Sequence, residues 1–415
     1  MKKVLIVSVF FPPIGGVGVQ RITKFVKYLP EFNWEPIVLT IPVWSNKLPK
    51  DYNLINEINQ NIKIHRPFFF DYKKIIPGEV RKIFKMNKKQ SNYPDRYKSW
   101  NYYALKRIKK ILNTQQINLI MINSSPFSTI ELAKALKQES EIPIVLNLRD
   151  PFSFNSYTVL NNDKKKMKCA IVFEKEHFYN FSKIICVTPH MQKEYKKLYP
   201  EYADKFTLIT NGYDESDFIE TAESNSKTSN DTFIIGYNGS FSKIVPLNPM
   251  LEAIYNLNTR NGMNFKLSIT TNISKKKLIA LHKKCYEAGF VEYIGFLSHK
   301  DSVKRLLHCD LLFVTFADTK ATIGAYPVKV LEYLRCNKPI ILLNNKTSYL
   351  AKLIQDTNTG YCVNIDQPSE IESTLKSLYT EWKKNGMVSY HPNRQEIEKF
   401  DFKKLTKKLT ESWIS

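Results

Sequence analysis

The chain has 415 residues, 43% of them hydrophobic and 13% aromatic, which sets it among globular proteins of two or three domains and not among disordered ones. Its formal net charge of +23 is unevenly spread: residues 1–200 hold 34 Lys and Arg against 15 Asp and Glu, and the remainder hold 28 against 24. That asymmetry points to a polyanion or an acidic membrane face as partner, with a lysine-rich compositional bias as the competing explanation. The six cysteines are scattered without metal-ligand spacing, as in a reducing compartment. No apolar run is long enough to span a bilayer. MKKVLIVSVFFPP reads as a buried first strand and not a signal peptide, since no small-residue cleavage site follows it. A cytoplasmic chain is expected.

Short apolar runs at Val4–Phe10, Ile37–Pro42, Ile117–Asn123, Ile142–Asp150, Ile184–Pro189 and Phe206–Gly212 alternate with helical patterns, the first of these at Val19–Leu29. Strands of this length separated by helices predict a parallel sheet covered on both faces. The basic, aromatic-interleaved stretch Lys73–Lys98 breaks the rhythm and reads as an insertion or an exposed amphipathic segment. A polar, acidic stretch at Ile219–Asp231 reads as a linker. A second series then follows: Phe233–Phe241, Phe265–Thr271, Val291–Leu297, Asp310–Phe316, Pro339–Leu343 and Gly360–Asn364. Asp401–Ile414 reads as a basic amphipathic helix. Two α/β series predict two doubly wound domains, with ligands outside the carboxyl ends of the strands.

Five constellations fall at such strand ends. The loop Pro12–Gly18 offers the backbone N–H groups of Gly15 and Gly16 to an anion at a helix N-terminus, or is a tight turn; it is neither a dinucleotide fingerprint nor a Walker loop. Arg149 and Asp150 leave the sheet together, as a ligand-edge pair or a structural salt bridge. Asn211–Asp214 fits a hinge turn. Gly239 and Ser240 offer backbone donors with the charge of Lys243 nearby, a plausible diphosphate cradle or a plain glycine turn. Tyr326–Leu343 reads as a helix stopped by Asn337-Lys338-Pro339 and followed by a buried strand. Within it Glu332 either holds a polar ligand or is solvated. The histidines form no ligand pair, and His299 and His308 read as surface or packing residues.

Taken in order, PPIGGVGVQR (residues 12–21), LRDPF (148–152), TNGYD (210–214), GYNGSF (236–241), GFLSH (295–299) and YPVKVLEYLRCNKPI (326–340) resemble the retaining GT-B glycosyltransferases, family 4 above all. The resemblance covers nearly the whole chain. It implies two Rossmann-like doubly wound domains facing across a cleft: residues 1–215 on the acceptor side, a linker over 216–231, and residues 232–399 holding a nucleotide-diphospho-sugar. The helix at about 400–415 is expected to pack back on the first domain. Of the family's Glu-X7-Glu pair, Glu332 matches the second member, which approaches the ribose. Gly324 stands where the first, which approaches the sugar, would be. Pro327, Lys329, Glu332 and Tyr333 match a Pro-X-Lys-X-X-Glu-Tyr pattern found in many relatives, in which Lys329 would face phosphate. Lys243 matches the family's basic residue near the diphosphate, and Arg149 stands roughly where the family has a histidine near the sugar.

The expected catalytic residues are therefore Arg149, Asp150 and Lys243. The expected donor-binding residues are Gly15, Gly16, Gly239, Ser240, Lys243, Pro327, Val328, Lys329 and Glu332. No Asp-X-Asp occurs, so neither a metal nor another cofactor is expected. The implied activity is retaining sugar transfer to a saccharide acceptor, lipid-linked in bacterial capsule or lipopolysaccharide synthesis. The enzyme would sit peripherally on an acidic membrane, without a nucleic-acid partner. A GT-B-fold sugar-nucleotide epimerase is the alternative enzyme, and a non-enzymatic basic binder of nucleic acid or membrane a further one.

Overall fold

The computed structural model describes residues 1–45, 50–69, 93–155, 163–219, 231–317 and 323–413. The chain forms two α/β units, Met1–Thr210 with Phe402–Ser415 and Asn211–Asp401.

The first unit is built on seven strands: β1 (Lys2–Ser8), β2 (Trp34–Leu39), β3 (Lys63–His65), β4 (Leu119–Ser124), β5 (Ile144–Leu148), β6 (Lys183–Cys186) and β7 (Phe206–Leu208). All pair in parallel in the order β3-β2-β1-β4-β5-β6-β7. The second unit repeats the plan with β8 (Phe233–Asn238), β9 (Phe265–Thr270), β10 (Val291–Gly295), β11 (Leu311–Thr315), β12 (Ile340–Leu343) and β13 (Gly360–Val363), in the order β10-β9-β8-β11-β12-β13. In both sheets the strand order reverses beside the first strand, and the carboxyl ends there form the ligand edge of a doubly wound fold.

The central strands are largely apolar because helices cover both faces. Leu5 and Val7 pack with Trp100, Ala104 and Ile108 of the Trp100–Thr114 helix, while Val4 and Ile6 pack with Ile22 and Phe25 of the Val17–Tyr28 helix. In the second unit Phe233, Ile235 and Phe313 meet Met250, Ile254 and Leu257 of the Asn248–Asn261 helix. On the other face Leu312 and Val314 meet Val303 and Leu306 of the His299–Leu307 helix and Val330, Leu331 and Leu334 of the Val328–Arg335 helix.

Four features differ from the sequence reading. Strand β3 has only three residues at the sheet edge and no apolar run to announce it. The first unit ends at Thr210, so Asn211–Asp214 opens the second, where the Tyr213 N–H donates to the Phe400 carbonyl (2.9 Å). Of the expected linker over 216–231, Ser216–Ile219 is a helical turn of the second unit, and residues 220–230 lie outside the described residues. The Lys73–Lys98 stretch also lies outside them up to residue 92, and its remainder is a turn that buries Tyr97.

The Phe402–Ser412 helix belongs to the first unit. Phe402 lies edge-on to Phe25 (centroids 5.8 Å apart), Trp413 edge-on to Trp34 (4.9 Å), and Leu405 and Leu409 are buried in the same cluster. Replacing Phe402 with alanine should cost the first unit about 3–5 kcal/mol, read as a lowered urea midpoint.

Candidate active site

In the first unit a polar ladder crosses the end of the sheet. Ser8, Asn123 and Asn147 are register neighbours on β1, β4 and β5. Asn147 Nδ2 donates to Asn123 Oδ1 (2.7 Å), Asn123 Nδ2 to Ser8 Oγ (3.0 Å), and Ser8 Oγ to the Phe10 carbonyl (2.8 Å). Asn147 Oδ1 in turn accepts from Arg21 Nε and Nη2 (both 3.3 Å). Arg21 is buried and also donates to the carbonyls of Ile209 (2.8 Å) and Thr210. Burial, and then the nearby charge of Arg149, lower its pKa to about 9. The sequence reading passed over Arg21. The signal was there: a cation directly before Ile22, on the side of the helix that carries Phe25 and Val26.

Arg149 follows β5 and reaches across to the first turn of the Val17–Tyr28 helix, where Nη1 donates to the Gly18 carbonyl (2.7 Å). A Cβ at Gly18 would lie 2.3 Å from that Nη1, so only glycine lets the guanidinium in. Burial lowers the Arg149 pKa. Its pairing with Asp150 is loose, at 3.8 Å with half of the Asp150 side chain exposed, so the firm partner of Arg149 is backbone. The loop that follows is tied down by Glu174. This fully buried carboxylate accepts from Tyr195 Oη (2.6 Å), Tyr199 Oη (2.8 Å) and the Ser153 N–H (3.1 Å), while the Phe152 N–H donates to Tyr195 Oη (3.0 Å). Gly16, at φ +115°, precedes the Val17–Tyr28 helix, and its N–H has no hydrogen-bond partner among the described residues; Gly15 follows Ile14, which forms an antiparallel bridge with Lys50.

In the second unit the Val328–Arg335 helix is docked at its middle, where Tyr333 Oη accepts from the Asn238 N–H (2.7 Å) at the end of β8. The same docking sets Lys329 beside Gly239. The Lys329 ammonium lies 4.0 Å over the Tyr237 ring and is buried, although the rest of the side chain is only half-buried. It has no hydrogen-bond partner among the described residues. Burial lowers its pKa to about 7. One turn on, Glu332 is buried and its Oε1 pairs with His299 Nε2 (2.9 Å), while His299 Nδ1 stands 3.8 Å from Asp217. His299, read from sequence as a surface or packing residue, is thus the direct partner of the site glutamate.

Other expectations are adjusted. The Gly239 N–H is not open to a ligand, because it donates to the Thr270 carbonyl (2.9 Å); glycine is required there by φ +123°. The Ser240 N–H has no partner among the described residues. Pro327 immediately precedes the helix and Val328 begins it. Gly324 is a left-handed turn residue at φ +74°. Lys243 is exposed, without an ion pair among the described residues. It lines a cleft of about 700 Å³ with Asn345, Asn364 and Asp366, whose walls include none of Gly239, Lys329 and Glu332.

Two Rossmann-type parallel sheets with cationic groups at their carboxyl edges follow the plan of the GT-B fold. Residues 14–217 match the family described as Glycosyltransferase Family 4, and residues 218–392 that described as Glycosyl transferases group 1. The chain belongs to these glycosyltransferases, group 1 and family 4. A search of the curated proteins finds no match. Similar solved structures include sucrose-phosphate synthase from Thermosynechococcus elongatus (13% identity, TM-score 0.67, covering 100% of this chain and 98% of that one). Anabaena HepE in complex with UDP-glucose is 12% identical (TM-score 0.62, 100% and 99% covered). The apo form of the lipopolysaccharide outer core galactosyltransferase WaaB is 14% identical (TM-score 0.59, 100% and 99% covered). At these identities the likeness is one of fold.

Gly18→Ala should displace the Arg149 guanidinium and cut sugar transfer by about tenfold or more, with the far-ultraviolet circular dichroism unchanged.

Proposed function

We propose that this glycosyltransferase moves a sugar, with retention at the anomeric carbon and without a metal, from a nucleotide-diphospho-sugar to a lipid-linked saccharide in the synthesis of a bacterial surface polysaccharide. The observation that carries the donor assignment is the buried Lys329 ammonium beside Gly239, without a hydrogen-bond partner among the described residues, on the helix whose Glu332 pairs with His299. A buried cation without a counter-charge is costly, and a diphosphate would supply one. Glu332, positioned by His299, would accept from the ribose hydroxyls. HepE, of the same fold, holds UDP-glucose.

In the transfer the bond from the anomeric carbon to the diphosphate oxygen breaks, and the acceptor oxygen bonds to that carbon on the same face. The acceptor proton passes to the leaving phosphate. The protein's part is positioning and stabilisation of the charge that builds on the diphosphate. Lys329 and the Ser240 N–H would serve this in the second unit, while the first unit offers the Gly16 N–H to an anion. Lys243, exposed on its loop, would close on the phosphates once a donor is bound, and in the first unit the catalytic roles would fall to Arg149 and Asp150.

A screen of UDP-, GDP-, dTDP- and ADP-sugars by thermal shift should give a raised melting temperature with one nucleotide class; no shift with any would overturn the reading. Lys329→Met, Glu332→Ala and Lys243→Ala should each lower transfer by about tenfold or more, whereas EDTA should leave the rate within about twofold. Donor affinity should also depend on pH. A bound diphosphate favours the protonated lysine, so above pH of about 7 binding must draw a proton onto Lys329 and the affinity falls as pH rises. Isothermal titration in buffers of different ionisation enthalpy would register that proton, and Lys329→Met should abolish it.

A further inference from the structure

The first unit carries a surface that the transfer chemistry does not use. The Trp100–Thr114 helix has no acidic residue. Its buried stripe is Trp100, Ala104, Ile108 and Ile111, and its exposed side presents Tyr102, Lys106, Arg107, Lys109 and Lys110. Lys109 pairs with Glu139 (2.5 Å), and Arg107 Nη2 lies 2.8 Å from His65 Nδ1. Lys106 and Lys110 have no carboxylate partner among the described residues, and the Lys106 ammonium lies 4.4 Å over the Tyr102 ring. Arg66 joins four of these cations around a shallow concavity of about 760 Å³.

Aromatic side chains continue the same surface. Trp44 and Phe68 have centroids 5.9 Å apart, Phe68 and Tyr103 5.4 Å, and Tyr103 and Tyr102 5.3 Å. Trp44 is 62% exposed, Tyr102 60% and Phe68 49%, unusual figures for neighbouring rings in water. Rings at headgroup depth beside lysines whose heads reach the phosphates are the pattern of an interfacial contact. A soluble polyanion would engage the cations and leave the rings in water. Stacked nucleic-acid bases fit less well. The rings meet at interplanar angles of 51°, 71° and 83°, so they offer no common stacking platform, and a face of Tyr102 is taken by Lys106.

We propose that this aromatic and basic surface, centred on Trp44, Phe68, Tyr102, Lys106 and Lys110, docks the first unit on an anionic lipid bilayer. The inference rests on the lipid-linked acceptor proposed above only for its biological setting. The test is sedimentation of the full chain with vesicles of phosphatidylcholine alone or mixed with phosphatidylglycerol. The wild type should pellet with the anionic vesicles and stay in solution with the neutral ones. Lys106→Glu with Lys110→Glu should weaken anionic binding by about tenfold or more. Trp44→Ser with Phe68→Ser should keep the low-salt attraction and lose the part that survives added salt. The melting temperature of each variant, alone and with the donor nucleotide found by thermal shift, should match that of the wild type, showing fold and donor site intact. Absence of wild-type binding, variants that pellet like the wild type, or tighter binding to a single-stranded oligonucleotide lost through the same substitutions would each overturn the proposal. Vesicle binding without any nucleotide response would leave it standing and overturn the donor assignment instead.

Discussion

A parallel sheet covered by helices on both faces has little room for polar groups away from the ends of its strands, and this chain meets that constraint twice. The buried faces are mostly valine, isoleucine, leucine and phenylalanine, and polar side chains stand at or next to the carboxyl ends of the central strands: Ser8, Asn123 and Asn147 in one sheet, Asn238 in the other. Part of the candidate site hangs from those positions. Asn147 holds Arg21, and the Asn238 N–H holds the helix that carries Lys329 and Glu332.

The two edges treat positive charge differently. In the first unit the guanidiniums are held by backbone and side-chain oxygens, the buried Arg21 by Asn147 and two carbonyls and the partly buried Arg149 by the Gly18 carbonyl. Such groups are fixed in place and can present an orientation at little further cost. In the second unit Lys329 is fixed by its aromatic neighbour but lacks an acceptor among the described residues. One edge is thus preorganised, and the other is left incomplete in a way that an anion can complete.

The two-sheet fold was readable because apolar runs of strand length recur at regular intervals, and that periodicity survives without any knowledge of contacts. Strand β3 escaped because an edge strand of three residues needs no apolar run. At the site, residues announced by backbone demands were legible: Gly16 and Gly239 both take positive φ. The use made of those glycines was not, since nothing in the local sequence says that the Gly239 N–H is already given to Thr270. His299 was missed for a related reason. It lies far from Glu332 in sequence, and only the adjacency of two helices over one sheet makes them partners. Arg21 was concealed by its neighbours, whose apolar stripe drew the reading to packing.

The return of the Phe402–Ser412 helix to the first unit bears on how the molecule is made. The cluster that includes Ile22, Phe25 and Val38 is completed by Phe402, Leu405 and Leu409. A ribosome working from the amino end therefore releases all seven strands of the first sheet long before one wall of their core exists. The second unit, contiguous from Asn211 to Asp401, has its whole sequence available first. For that interval the nascent first unit exposes an apolar seam along the Val17–Tyr28 helix, the place where a chaperone would find this chain during synthesis.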